Sequence, residues 1–395
     1  MNAKYDCSCQ SSTPLYQTDY RVKSLALAFS SCLLILALLL ATAGTSTKAA
    51  AQTTPASARA DHPLYVPVIF NGAGDPNNAA YYQVAYVNKS GAWLSSLDGN
   101  YLTQLTTDIR YGVEEDIPVL QVAPDGQLIA VQQSTGWALF RRDGTLAQDR
   151  IGQGFALTWD RVPAGQPLHS VLLSQLGHGI DRYDFVANRQ TPFLITSDDT
   201  NDHSLTWSNG GRKFVFAHQE FGTQLYVTVV DPYDATQLPL TGENLAAGKD
   251  NAALAVIEAV DSWHDQPVTF FWAANGEKLI FAAKQTIYVV DMASEDALTI
   301  VPPGFGERFT GRSVDVSNDL ILYFANDGLY TVDFTGTGTQ RIVDGNDLHF
   351  PRWIAGGQKI LYRGTDERLY QANANGDDIV AVPYSNDIVQ FAPLP

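Results

Sequence analysis

Three histidines and a scatter of aspartates are the side chains of this sequence whose types and spacing could do chemistry. His203 lies four residues before Trp207, and His349 lies four residues before Trp353; His264 stands among Asp261 and Asp265. Imidazoles and carboxylates converging from separate parts of a fold could hold a divalent metal or orient a small ligand. Arg312 and Gln390 fall at the position of the two histidines by the same count. A second kind of chemistry is offered by Asp198-Asp199-Thr200-Asn201-Asp202, where Asp198, Asp199 and Asp202 supply hard oxygen ligands. Calcium, Ca2+, is the cofactor such a loop would take. The EF-hand count fails, because position six from Asp198 is His203 where glycine is required and position twelve is Asn209 where glutamate is required. An ordinary solvated turn is the competing reading, and it serves also for the weaker Asp344-Gly345-Asn346-Asp347.

Other catalytic signatures are missing from the sequence. No Gly-x-Ser-x-Gly elbow occurs, so acyl transfer has no support. Gly242 to Lys249 approximates a phosphate loop, but the glycine spacing is one residue too long and Asp250 stands where Ser or Thr would ligate magnesium. Neither His-Glu-x-x-His nor Cys-x-x-Cys is present. No residue is assigned a catalytic role.

The elements that must position these groups repeat along the chain. Leu205-Thr206-Trp207-Ser208-Asn209-Gly210-Gly211-Arg212-Lys213-Phe214-Val215-Phe216-Ala217 reads as an aromatic-centred strand, a tight polar turn and an apolar strand. Gln224-Leu225-Tyr226-Val227-Thr228-Val229-Val230-Asp231 follows as an alternating strand that closes on an aspartate turn. Variants recur around Val122, Trp159, Trp272, Val316 and Trp353, and a recurring four-strand unit is the mark of a propeller blade. The turns carry their own mechanism, as in Pro124-Asp125-Gly126. The expected fold is all-β, a single β-propeller of seven four-stranded blades, with six or eight as alternatives. The unit beginning at Tyr82 lacks an innermost strand, and Asp387 to Pro393 resembles one. Closure of the ring by that C-terminal segment leaves no open sheet edge. Leu64 to Phe70, with Pro67 inside it, is the alternative closing strand. The fourth unit is expected to end at Gln237-Leu238-Pro239-Leu240, with an insertion at 242–266 after it.

One position of the repeat carries further information. Immediately before the blade tryptophan stand Gln121, Thr158, Thr206, Phe271, Asp315 and Arg352, mostly polar beside apolar neighbours, as alternation predicts if one side looks toward the channel. Asp315 and Arg352 fall on adjacent blades and could pair across the inner ring. The tryptophans 159, 207, 272 and 353 are expected in the core between blades.

Composition sets the compartment and the partners. Lys4, Arg21 and Lys23 precede an uncharged apolar run from Ser24 to Gly44, and Ala49-Ala50-Ala51 follows it. Residues 1–51 are read as a signal peptide with cleavage near Ala51, an uncleaved N-terminal anchor being the alternative, and the propeller as extracytoplasmic in either case. Residues 52–80 are read as a linker with a leading strand, and 81–395 as the propeller. All three cysteines, Cys7, Cys9 and Cys32, lie in the leader, so a processed chain would fold on apolar burial without disulfides. The whole chain has 25 basic and 42 acidic side chains; residues 1–51 hold 4 and 2 of these, which leaves 21 against 40, a net −19, after processing. Such a surface repels phosphate backbones and anionic lipid, so nucleic acid is excluded as a partner and a membrane is reached only through the N-terminal segment.

The phrase Trp-Ser-Asn-Gly-Gly-Arg-Lys-Phe-Val-Phe at 207–216, with Leu-Tyr-Val-Thr-Val-Val-Asp at 225–231, resembles the WD40-like (PD40) repeat of TolB-type propellers over residues 82–393. The resemblance implies a fold more than an activity. TolB-type chains carry an α/β domain before the propeller, and the stretch before residue 82 is too short for one; prolyl-oligopeptidase-type enzymes append a hydrolase domain that is not seen here. The expected function is a secreted or surface-exposed monomeric binding module that engages a protein or small-molecule ligand at the channel face, through His203, His264, Arg312, His349, Asp315 and Arg352. The alternative is a propeller enzyme, a metal-assisted hydrolase or lyase with its site at the central channel.

Overall fold

The computed structural model describes residues 82–110, 119–152, 154, 156–161, 166–175, 179–195, 201–208, 211–219, 223–229, 238–240, 249–250, 269–283, 286–294, 296–300, 314–317, 319–346 and 348–394. All belong to the second of two compact units, Pro67–Pro395. The leader, the linker and most of the 242–266 segment lie outside the described residues.

Among the described residues, antiparallel pairing builds seven four-stranded sheets, a β-propeller. Their innermost strands are Ile388–Pro393, Leu120–Val122, Ala156–Trp159, Asn201–Trp207, Phe270–Trp272, Val314–Ser317 and His349–Ile354, for the first to the seventh sheet. The second strands are near-continuous apolar runs, and the packing explains why. In Leu279-Ile280-Phe281-Ala282, Leu279 and Phe281 pack with the fourth sheet, whereas Ile280 and Ala282 pack with the sixth. Both faces are buried, so both must be apolar.

Seven separate hydrophobic cores lie in the seams between successive sheets, and the last joins the seventh sheet to the first through Val84, Tyr86, Leu361, Leu369 and Phe391. Trp159, Trp207 and Trp272 are buried in these seams, as expected, and Trp353 is half-buried beside the sixth-to-seventh core. The ring closes through the C-terminal segment: Ile388–Pro393 pairs antiparallel with Gln83–Asn88. Leu64–Phe70 lies outside the described residues.

The turns between first and second strands use the same chemistry repeatedly. Gly126 N–H donates to Ala123, Gly211 to Ser208 and Gly276 to Ala273, all at 2.7–2.8 Å, and the three glycines have φ of 66°, 67° and 70°. L side chains reach that region at a cost that glycine does not carry.

One boundary differs from the sequence reading. The outer strand of the fourth sheet is Lys249–Asp250, from within the supposed insertion, paired with Thr228 and Val227. Leu240 instead forms an isolated parallel bridge to Leu194 and packs into the third-to-fourth seam. A strand of two residues is too short for period two to show.

Candidate functional site

The residues just before the blade tryptophan form a ring of equivalent positions. Ala392, Gln121, Thr158, Thr206, Phe271, Asp315 and Arg352 each pair with the third residue of their second strand: Ala85, Ala130, Leu172, Val215, Ile280, Leu322 and Leu361. All seven are half-exposed, whereas the residues before them, Phe391, Leu120, Leu157, Leu205, Phe270, Val314 and Pro351, are all buried. The innermost strand borders the axis of the ring, so partial exposure there opens these positions to the central channel.

Charge in this ring is concentrated in one seam. Asp315 Oδ2 accepts the Trp353 backbone N–H at 2.6 Å and Oδ1 accepts the Val316 N–H at 2.9 Å. Arg352 Nη1 donates to the Val314 carbonyl at 3.1 Å and to the Pro351 carbonyl at 2.8 Å. Although the residue as a whole is partly exposed, its carboxyl group is desolvated, which pushes Asp315 above its usual range against the pull of the Arg352 charge and the two N–H donors. Burial pushes the Arg352 guanidinium down, opposed by Asp315. The two charges therefore stabilise one another while each holds the neighbouring backbone. Thr158 and Thr206 offer hydroxyls on the third and fourth inner strands, and Phe271 an apolar face between them and Asp315.

His203 and His349 stand at equal height, as their spacing predicts: His203 pairs with Ala217 and His349 with Arg363, each the fifth residue of its second strand. They lie within inner strands and not in loops before them. A register shift follows each, with the next residue at positive φ, Ser204 at 57° and Phe350 at 53°. This is a β-bulge, which re-aims the chain at the end of a sheet. The His349 ring packs between Phe324 and Phe350, with centroids 5.4 and 5.8 Å away. Gln390 is buried and serves the seam between first and second sheets, where its Oε1 accepts the Val119 N–H at 3.0 Å.

Asp198, Asp199, His264 and Arg312 lie outside the described residues, and Asp202 and His203 are placed only as strand positions of Asn201–Trp207. Among the described residues, no three His, Cys, Asp or Glu side chains gather as metal ligands.

Sequence reasoning missed one buried ionic cluster. Asp160, next to Trp159, accepts Arg182 Nε at 2.7 Å, Ser170 Oγ at 2.9 Å and the Arg161 N–H at 2.9 Å. The Arg182 guanidinium also lies 5.3 Å from the Phe193 ring. The available signal was that Asp160 follows the tryptophan where other units have Ser208 or Ala273.

No family model and no curated protein matches the sequence. Similar solved structures include a chain of the mitotic checkpoint complex, 14% identical, covering 74% of this chain and 87% of that one, with a TM-score of 0.48. Another is the Myceliophteria thermophila Cps50 (Swd1) β-propeller domain, 13% identical over 70% of this chain and 87% of that one, with a TM-score of 0.44. Porphyromonas gingivalis dipeptidyl peptidase 4 is 11% identical over 76% of this chain at a TM-score of 0.46, and only 51% of that longer chain is covered.

Proposed function

We propose that this chain is an extracytoplasmic binding module, a seven-bladed propeller of TolB-type repeats, that engages a protein or small-molecule ligand at the mouth of its central channel. One observation carries the reading: the seven register-equivalent channel positions hold Ala, Gln, Thr, Thr, Phe, Asp and Arg, while the positions directly behind them are apolar in every sheet. A ring that needed these positions only to close would keep to one chemical class, as the apolar positions behind them do. Varied donors, acceptors, one aromatic and one charge pair make a surface that discriminates between ligands. The apolar N-terminal run and the acidic composition support display outside the cytoplasm.

The test is to narrow the channel without touching its charge pair. Thr158→Trp and Thr206→Trp, with unchanged melting temperatures, are expected to lose a partner that the wild-type chain retains in quantitative cross-linking on whole cells. Undiminished capture by both variants would end the channel reading. Protection of the propeller from protease added to intact cells would end the extracytoplasmic one.

A further inference from the structure

A cleft of ≈ 380 Å³ opens between the sixth and seventh sheets, lined by Tyr362, Tyr370, Asp344, Asn346, Asp366 and Ile379 among others. Tyr362 and Tyr370 are cross-strand partners stacked at 5.8 Å and 20°, and the Tyr370 hydroxyl donates to Asp366 Oδ2 at 2.7 Å. Tyr362 is only 3% exposed and lines the cleft, and no described residue hydrogen-bonds its hydroxyl, as also holds for its counterpart Tyr323 in the sixth sheet.

The preceding repeat shows what such an arrangement holds. In the sixth sheet, Tyr323 and Tyr330 stack in the same way, at 5.5 Å and 14°, and the Tyr330 hydroxyl donates to Asp327 Oδ1 at 3.0 Å. Directly opposite Tyr330 on the outer strand stands Arg341. Its Nη2 donates to the Asp327 carbonyl, its Nη1 lies 3.6 Å from Asp327 Oδ2, and its Nε lies 2.8 Å from Asp344 Oδ1. The residue opposite Tyr370 in the seventh sheet is Ala381. Two tyrosines and a carboxylate are thus repeated, and the guanidinium that completes them is replaced by a methyl group.

We infer that the cleft between the sixth and seventh sheets takes an arginine side chain of a partner polypeptide, which would stand against Tyr370 and Asp366 as Arg341 stands against Tyr330 and Asp327. A planar cation suits this place because a carboxylate stands at the ring edge, as Asp327 does beside Arg341. The net charge of −17 favours the approach of a basic segment. Arg368, the cation beside Tyr370, is not among the lining residues. This site is separate from the channel ring and does not depend on its role.

The experiment is a titration of the full chain with the blocked amino acid N-acetyl-arginine methylamide, followed by calorimetry, with the lysine and citrulline analogues as comparisons. Saturable one-to-one binding is expected, weakened about tenfold or more by the neutral citrulline side chain. Ala381→Arg restores the chain's own guanidinium and is expected to abolish binding. Asp366→Asn weakens it without adding bulk, and serves if Ala381→Arg does not fold. Absence of saturable binding, equal binding of citrulline, or unaltered binding by Asp366→Asn would overturn the inference.

Discussion

Gln390 Oε1 accepts the backbone N–H of Val119 at 3.0 Å, joining two residues 271 positions apart. Gln390 belongs to the last strand and Val119 adjoins the inner strand of the second sheet, so the bond crosses the seam beside the point where the two ends of the ring meet. Arg363 Nη1 anchors the same closing strand from the other side, through the Ile388 carbonyl at 2.9 Å.

Gln390→Ala should therefore destabilise the propeller by about 1–3 kcal/mol, because the Val119 N–H is left buried without an acceptor. Urea unfolding of the two proteins checks this. A loss below the error of extrapolation would mean that water replaces the side chain at no cost.

Asp315 and Arg352 should behave as a coupled pair. Asp315→Ala alone is expected to cost about 1–3 kcal/mol, since it removes the acceptor of the Trp353 N–H and leaves Arg352 without its counter-charge. The double variant Asp315→Ala, Arg352→Met should cost less than the sum of the single ones. Strict additivity in a double-mutant cycle would show that the two charges do not sense one another.

Gly376 tolerates no side chain. Its φ is +87°, and a Cβ would lie 1.7 Å from the Ile342 carbonyl oxygen in the adjacent sheet. Gly376→Ala combines a backbone conformation that costs about 1–3 kcal/mol for L residues with a backbone clash. Gly356, at φ +63° with nothing within 4 Å of its Cβ, is the control that isolates the conformational part. Equal melting temperatures for the two alanine variants would refute the clash.

Acid should weaken the fold at its turn aspartates. Asp291 accepts the Ala293 N–H at 2.9 Å, the Lys278 ammonium at 3.1 Å and the Ser294 N–H at 3.2 Å, which together lower its pKa from 3.8 to about 2. The Thr335 and Thr337 hydroxyls and N–H groups lower that of Asp333 as well. A depressed folded-state value contributes stability that is fully present above the unfolded-state value and is lost as pH falls through the folded one. Stability should thus decline between pH 4 and 2, less steeply in Asp291→Asn, when denaturant melts are compared across that window. Parallel curves would remove Asp291 from the explanation.

The repeat itself determined much of this protein. A strand buried on both faces must be apolar at every position, so runs such as Leu279 to Ala282 are legible, and the glycines at 126, 211 and 276 mark turns that few other residues can make. The missing inner strand of the first unit and the spare strand after Asp387 pointed to the closure that the Ile388–Pro393 pairing shows. The equal height of His203 and His349 followed from counting back to a tryptophan.

Tertiary structure decided whatever depends on register between distant segments. Lys249–Asp250 is a strand only because Val227 and Thr228 present an open edge to it. Asp160 meets Arg182 across the intervening Ser170–Gln175 strand, on which Arg182 pairs with Leu172, and no local pattern encodes that approach. The difference between Arg341 and Ala381 has no meaning along the chain, where both lie in unremarked outer strands. It acquires one when strand pairing sets each opposite one tyrosine of a stacked pair in its own sheet, since the chemistry of a cleft is set by which side chains the pairing gathers there.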